Sequence, residues 1–79
     1  MTITPQIAQQ ILATAESSIG HQEGYGWRMF AHREAAVSGR MGLPEGVSVA
    51  DLDGEKLWTN NADRSLNVEK LEKIAGIGR

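Results

Sequence analysis

The fold prediction depends most on residues 47–61, which read VSVADLDGEKLWTNN. Apolar and polar residues alternate on either side of Asp53-Gly54 in this stretch. An Asp-Gly pair between alternating residues is the strongest short-range signal for a β-hairpin, because its two-residue turn needs positive φ at both central positions. The stretch therefore predicts a hairpin that turns at Asp53-Gly54, with Asp51 facing Lys56 across the strands as an ion pair.

Residues 4–20, TPQIAQQILATAESSIG, carry the signals of an amphipathic helix. Thr4 is suited to cap the helix, Pro5 to fill its first position and Gly20 to end it. Apolar residues recur at spacings of three and four, which predicts one buried face. That face consists of Ile7, Ala8, Ile11, Leu12, Ala15 and Ile19.

Residues 25–41 are compatible with two structures. Read at the helical period, they predict a second helix that ends near Gly39 and buries one face. That face consists of Trp27, Phe30, Ala31, Ala35 and Ser38. Read at a period of two, Tyr25 and Trp27 begin a strand that pairs with the following residues through a turn near Arg33 and Glu34. The alanines favour the helix, because alanine is the best helix former and is depleted in strands.

The end of the chain predicts a polar turn followed by a short helix. The turn is TNNADRS, residues 59–65, and the helix is LNVEKLEKIAG, residues 66–76. Asn67 is suited to cap this helix, Leu66 to pack over its first turn and Gly76 to end it. Its buried stripe consists of Val68, Leu71, Ile74 and Ala75.

Two short segments resemble known families. Residues 71–79, LEKIAGIGR, resemble the first half of a helix-hairpin-helix DNA-binding motif. This resemblance implies that backbone N–H groups of Gly76, Ile77 and Gly78 meet a phosphate. Residues 47–66 resemble a hairpin of PAS sensory domains, in which an aspartate-glycine turn precedes a strand ending in asparagine and alanine. This second resemblance implies the hairpin and no ligand site.

These segments together predict one small α+β domain over residues 1–79. It would contain an N-terminal helix, a second helix or strand pair, a hairpin at Asp53-Gly54 and a short C-terminal helix. The chain is 41% hydrophobic and has no cysteine, so it can form a modest core but no disulfide or thiolate metal site. Small cores supply little stability, which makes docking on a partner or formation of a homodimer useful.

The composition also predicts where the protein acts. No apolar run reaches the roughly 18 residues of a membrane span, and the N-terminus lacks the pattern of a secretory signal. We therefore expect a cytoplasmic protein. A net charge of −2 argues against a surface built throughout to neutralise phosphates.

Catalytic and metal-binding patterns are weak. His21 and His32 each have a carboxylate nearby in sequence, Glu23 and Glu34, and such a pair can form a general base. No cysteine nucleophile or serine elbow accompanies them, and a zinc site would need about three converging ligands. We predict no catalytic residue, metal or cofactor, and an enzyme that uses His21 or His32 stays an alternative.

The leading functional prediction is a non-catalytic protein-interaction module. Glu45, Asp51, Asp53 and Glu55 lie in the most acidic part of the chain and are the predicted partner-binding residues. Their carboxylates could take the place of phosphates on a nucleic-acid-binding partner protein. We therefore expect an inhibitor of the kind carried by phages and other mobile elements, which blocks such a partner.

The main alternative is a small nucleic-acid-binding module. Aromatic and basic residues interleave between residues 25 and 40, a pairing of stacking surfaces and cations that binders of single-stranded nucleic acid use. The residues predicted for this function are Trp27, Arg28, Arg33 and Arg40.

Overall fold

The computed structural model describes residues 2–20 and 26–77. In chain order these residues form α1 (Pro5–Ile19), a 3-10 helix (Trp27–Phe30), α2 (Arg33–Ser38), α3 (Val49–Gly54) and α4 (Val68–Ala75). The described residues contain two isolated antiparallel bridges but no sheet. The protein is a small helical domain, and the α+β prediction is wrong.

Helix α1 confirms the N-terminal prediction. The Thr4 hydroxyl accepts a hydrogen bond from the Ile7 N–H at 3.2 Å, and Pro5 occupies the first helical position. At the other end, the Gly20 N–H donates to the carbonyl of Glu16 at 2.8 Å. The buried face consists of Ala8, Ile11, Leu12 and Ala15.

The second predicted helix is present as two short helices with a break between them. Ala31 and His32 are extended, because the Ala31 carbonyl and the Arg33 N–H on either side of His32 form hydrogen bonds with a different part of the chain. The Ala31 carbonyl accepts from the Leu66 N–H at 2.8 Å, and the Arg33 N–H donates to the Arg64 carbonyl at 2.9 Å. The strand-pair alternative is therefore wrong over the described residues of this segment, and its first residue, at position 25, lies outside them.

The predicted hairpin at Asp53-Gly54 is absent, because residues 49–54 form α3. The Ser48 hydroxyl accepts from the Asp51 N–H at 3.3 Å, and the Asp51 carboxylate accepts from the Ser48 N–H at 2.9 Å. This reciprocal capping box satisfies N–H groups that a helix start leaves open, so the segment begins a helix. The Asp51–Lys56 ion pair and the PAS-like hairpin are wrong for the same reason.

The chain does reverse direction slightly later, at the predicted polar turn. Trp58 lies opposite Leu66 in an antiparallel bridge. The Thr59 N–H donates to the Ser65 carbonyl at 2.8 Å, and the Asn67 N–H donates to the Leu57 carbonyl at 2.7 Å. Residues 60–64 therefore connect two short extended segments that meet in an isolated bridge, which is a different pairing from the hairpin predicted at Asp53-Gly54.

Helix α4 confirms the C-terminal prediction and closes the core against α1. The Asn67 side chain accepts from the Lys70 N–H at 3.1 Å, and Gly76 ends the helix with φ of 77°. The Gln9 side chain donates to the Ala75 carbonyl at 3.2 Å and links the two helices. The largest fully buried side chains are Ile11, Met41, Leu52, Leu57 and Leu71.

The end of α4 bears on the helix-hairpin-helix resemblance. The Gly76 N–H donates to the Lys73 carbonyl at 3.2 Å, and the Ile77 N–H donates to the Glu72 carbonyl at 3.1 Å. Both N–H groups therefore cap their own helix and do not point freely at a phosphate. Gly78, the third residue that the resemblance implies, lies outside the described residues.

Candidate functional site

Helix α3 separates the four predicted partner-binding carboxylates. Leu52 is fully buried and fixes the side of α3 that faces the core. Asp51 and Glu55 are four positions apart and lie one turn from each other on one side, whereas Asp53 lies on the opposite side. Glu45 lies in the turn before α3, which is closed by a hydrogen bond from residue 47 to residue 44. We use the name α3 acidic surface for Asp51 and Glu55 of the α3 region together with Glu45, which precedes them in the chain.

Asp51 has a structural role within this surface. Its carboxylate accepts from both the backbone N–H and the hydroxyl of Ser48, at 2.9 Å and 3.1 Å. These hydrogen bonds, the backbone one first, lower the pKa of Asp51 below its ordinary value of 3.8. Asp51 therefore stays negatively charged at neutral pH while it caps α3.

Asp53 is paired with Arg33 of α2. The guanidinium donates from Nε at 2.9 Å and from Nη2 at 2.7 Å to the two carboxylate oxygens, and both side chains are 37% exposed. The hydrogen bonds from Arg33 are the main cause of a lowered pKa of Asp53, and they raise the pKa of Arg33. The indole N–H of Trp58 and the charge of Arg64 also lower the pKa of Asp53, although the indole does not reach hydrogen-bond geometry.

Glu45 and Glu55 are the two carboxylates of the site that neither form an ion pair nor cap a helix among the described residues. Both residues are exposed, and neither side chain has an ion-pair partner among the described residues. The Lys70 ammonium donates to the backbone carbonyl of Glu55 at 3.0 Å, which fixes the main chain at the end of α3 and leaves the Glu55 carboxylate in solvent.

The arginines predicted for nucleic-acid binding are distributed among three separate ion pairs. Arg28 donates to Glu72 at 2.8 Å and lies 5.8 Å from the ring centroid of Trp27. Arg40 lies 3.5 Å from Glu34, and Arg33 is paired across to α3 as described above. Trp27 is only 8% exposed and belongs to the core, so its ring is covered by protein. The structure does not bring these residues into one open basic surface.

Of the two histidines, His32 is described and His21 lies outside the described residues. Nε2 of His32 is 2.8 Å from the Met29 carbonyl oxygen, so this nitrogen carries a proton that it donates. Nδ1 is buried and has no hydrogen-bond partner. The ring borders an open cavity of about 420 Å³. The other lining residues are Ser18, Ile19, Phe30, Ala35 and Arg40.

No metal site is formed by the described part of the chain, in which no group of three or more His, Asp or Glu side chains converges. Helices long and apolar enough to cross a membrane are likewise missing from residues 2–20 and 26–77.

Sequence reasoning missed two features of the site, for different reasons. The Ser48-x-x-Asp51 spacing is a recognisable capping-box signal and could have predicted the start of α3. The Arg33–Asp53 pair joins residues 20 positions apart, and no local sequence pattern predicts such a contact.

Comparisons of the chain with protein-family models, with curated proteins and with solved structures gave no match.

Proposed function

We propose that this protein is a non-catalytic interaction module that binds a basic surface of a partner protein through the α3 acidic surface. One observation carries the proposal: Glu45 and Glu55 have no ion pair among the described residues, whereas Arg28, Arg33 and Arg40 are each paired within the chain. Two carboxylates on this part of the surface are therefore open to the cations of a partner.

Helix α3, which ends next to Glu55, is fixed in the fold. Leu52 anchors α3 in the core, the capping box holds its first turn, and the Arg33–Asp53 pair ties its last turn to α2. Exposed carboxylates on a rigid support can meet cations of a partner without first losing a partner of their own, which steers association and selects against acidic surfaces.

A partner that binds nucleic acid is the kind of protein that fits best. Such a protein presents lysines and arginines where phosphates bind, and carboxylates can occupy the same places. The protein would then act as an inhibitor by exclusion, as small proteins of phages and other mobile elements do.

The nucleic-acid-binding alternative is less well supported by the geometry. Each arginine of the basic segment is paired with a carboxylate, Glu72, Asp53 or Glu34, which offsets part of the positive charge that a phosphate would meet. The two proposals differ in a simple measurement, because direct phosphate contacts give a steep fall of oligonucleotide binding with salt.

The proposal is tested by comparing two double variants that change the total charge equally. Glu45→Lys/Glu55→Lys reverses the α3 acidic surface, and Glu16→Lys/Glu69→Lys reverses two exposed carboxylates on α1 and α4. Each immobilised protein is exposed to an extract of its source cells at low salt, and the retained proteins are quantified by mass spectrometry. Circular dichroism establishes that each variant is folded.

We expect the wild type and the α1/α4 variant to retain the same basic protein, and the α3 variant to lose it. Raising the salt from roughly 0.05 M to 0.5 M should release that protein, because the Debye length shortens to a few ångströms. Equal retention by both variants would show that the α3 acidic surface is not the binding surface.

A further inference from the structure

A second cavity, of about 490 Å³, opens on the side of α3 that carries Asp53. It is lined by Asp53, Lys56, Trp58, Thr59, Asn60 and Arg64. Trp58 is only 8% exposed and forms a rigid wall, whereas Lys56, Asn60 and Arg64 are exposed. The residues come from the end of α3, from the segment 56–59 that follows it and from the turn at 60–64, and the bridge between residues 58 and 66 closes that turn.

The cavity carries an excess of positive charge. Asp53 is neutralised by its two hydrogen bonds from Arg33, so this pair is neutral as a unit. Neither Lys56 nor Arg64 has an ion pair within the described residues, although the charge of Arg64 also acts on Asp53 from beyond ion-pair distance. Two cations and one carboxylate that is already paired with Arg33 therefore border one opening in a protein whose net charge is −2.

The backbone at these two cations is in an unusual conformation. Lys56 and Arg64 have φ of 56° and 51°, and they are the non-glycine residues with positive φ among the described residues. Residues with a Cβ rarely adopt this backbone conformation. Backbone strain of this kind persists where the surrounding structure enforces it, often at binding sites.

Hydrogen bonds enforce both conformations. The Lys56 N–H donates to the Asp53 carbonyl at 3.1 Å, and its carbonyl accepts from the Lys70 ammonium at 3.4 Å. The Arg64 N–H donates to the Asn61 carbonyl at 3.1 Å, and its carbonyl accepts from the Arg33 N–H. Glycine would satisfy the same backbone without strain, so the fold does not explain why lysine and arginine stand at these positions.

We propose that this cavity binds the phosphate monoester group of a small molecule. A phosphate monoester carries about −1.5 to −2 charges at neutral pH, which matches two cations without an ion pair better than a single carboxylate does. Lys56 and Arg64 would supply the charge, and the Asn60 amide could donate a further hydrogen bond. The cavity volume also lies within the roughly 300–1,000 Å³ of small-molecule sites, so it has room for a group attached to the phosphate.

The site lies beyond the proposed partner binding and uses different residues, so each proposal can fail alone. The test is a titration of the ¹⁵N-labelled full chain with inorganic phosphate at constant ionic strength, followed by NMR. The reporters are the Trp58 indole N–H and the backbone N–H groups of Thr59, Asn60 and Arg64. We expect saturable shifts that are largest at these groups.

The decisive variant is Lys56→Gly/Arg64→Gly, which removes both cations while it relieves the strained φ values. We expect it to remain folded, with an unfolding temperature no lower than that of the wild type, and to lose phosphate affinity about tenfold or more. The matched control Arg40→Gln/Lys73→Gln removes two exposed cations elsewhere and should bind phosphate as the wild type does.

Two further ligands distinguish binding of a phosphate monoester from binding of the phosphodiesters in a nucleic-acid backbone. A nucleoside 5′-monophosphate should produce the same saturable shifts, and an oligonucleotide without terminal phosphates should not. Shifts that rise linearly without saturation, that persist in the glycine variant, or that the oligonucleotide reproduces would overturn the proposed monoester site.

Discussion

At the scale of single residues, the Arg33–Asp53 pair determines how charge is arranged on the surface. Its two short hydrogen bonds, at 2.9 Å and 2.7 Å, match the planar fork of a guanidinium to a carboxylate. The pair removes Asp53 from the predicted acidic surface and removes Arg33 from the predicted basic one. Of the four predicted partner-binding carboxylates, Glu45 and Glu55 are left without an ion pair or a capping role among the described residues.

The first prediction concerns pH. The pKa values of Asp51 and Asp53 are lower in the folded chain than the ordinary 3.8, so unfolding raises the affinity of both groups for protons. Their stabilising contribution is complete above pH 3.8 and is lost as the pH falls through the lowered values. Urea unfolding at a series of pH values from 7 to about 2.5 should show a decreasing midpoint over the acidic part of that range.

The matched variant for this measurement is Asp53→Asn, which keeps the size of the side chain but cannot titrate. It should be less stable than the wild type at pH 7, because Arg33 loses its charged partner, and its stability should depend less on pH below 4. Identical pH profiles for the two proteins would show that the Arg33–Asp53 pair does not stabilise the fold.

Residue roles were predictable only where the signal is local. The caps at Thr4 and Asn67 were predicted from neighbouring residues and are confirmed. The pairing of Arg33 with Asp53 depends on how α2 and α3 pack, and sequence reasoning without that packing assigned the two residues to opposite functions.

At the scale of secondary-structure elements, α3 shows two local signals in competition. Alternation around Asp53-Gly54 favours a hairpin, whereas the Ser48 cap and the spacing of Val49 and Leu52 favour a helix. The helix buries Leu52 completely, with Val49 partly buried against the core, and it places Asp53 opposite Arg33. Tertiary contacts therefore outweigh the turn propensity of two residues.

The second prediction tests the start of α3. Ser48→Ala removes the hydroxyl that accepts from the Asp51 N–H, and loss of a helix cap costs about 1 kcal/mol of unfolding free energy. Ser17→Ala on the exposed side of α1 is the control and should change stability by less than about 0.5 kcal/mol. Urea unfolding measures both, and equal effects would argue against the capping role of Ser48.

The break after the 3-10 helix has no signal in its own sequence. Residues 27–38 carry a continuous helical pattern, but Ala31 and Arg33 direct their backbone groups to residues 64–66. Short helices contribute little stability by themselves. A few backbone hydrogen bonds with a distant segment are therefore enough to interrupt a short helix.

At the scale of the whole molecule, α1 and α4 form the most extensive packing between two helices of the described residues. These are the two longest helices, and their boundaries and buried faces follow the predictions closely. Long periodic segments repeat the same signal over several turns, whereas a six-residue helix such as α2 or α3 offers barely one repeat. This difference explains why the ends of the chain were predicted correctly and the fold class was not.

The third prediction tests this core. Leu71 is fully buried, and Leu71→Ala should lower the unfolding free energy by about 2–5 kcal/mol because it leaves a cavity. Val37→Ala is the control, since Val37 is 62% exposed and its truncation should cost less than about 0.5 kcal/mol. Urea unfolding of both variants is the measurement, and a small effect of Leu71→Ala would place the core elsewhere.

Both the partner-binding surface and the phosphate cavity require that residues 49–54 be helical and that the chain reverse at residues 60–64. Nuclear Overhauser contacts in the labelled protein measure this directly. We predict helical contacts between residues three apart over 49–54, and a close Hα–Hα contact between Trp58 and Leu66, which form a non-hydrogen-bonded antiparallel pair. Cross-strand contacts that pair Asp51 with Lys56 around Asp53-Gly54 would contradict the helix and both binding sites that depend on it.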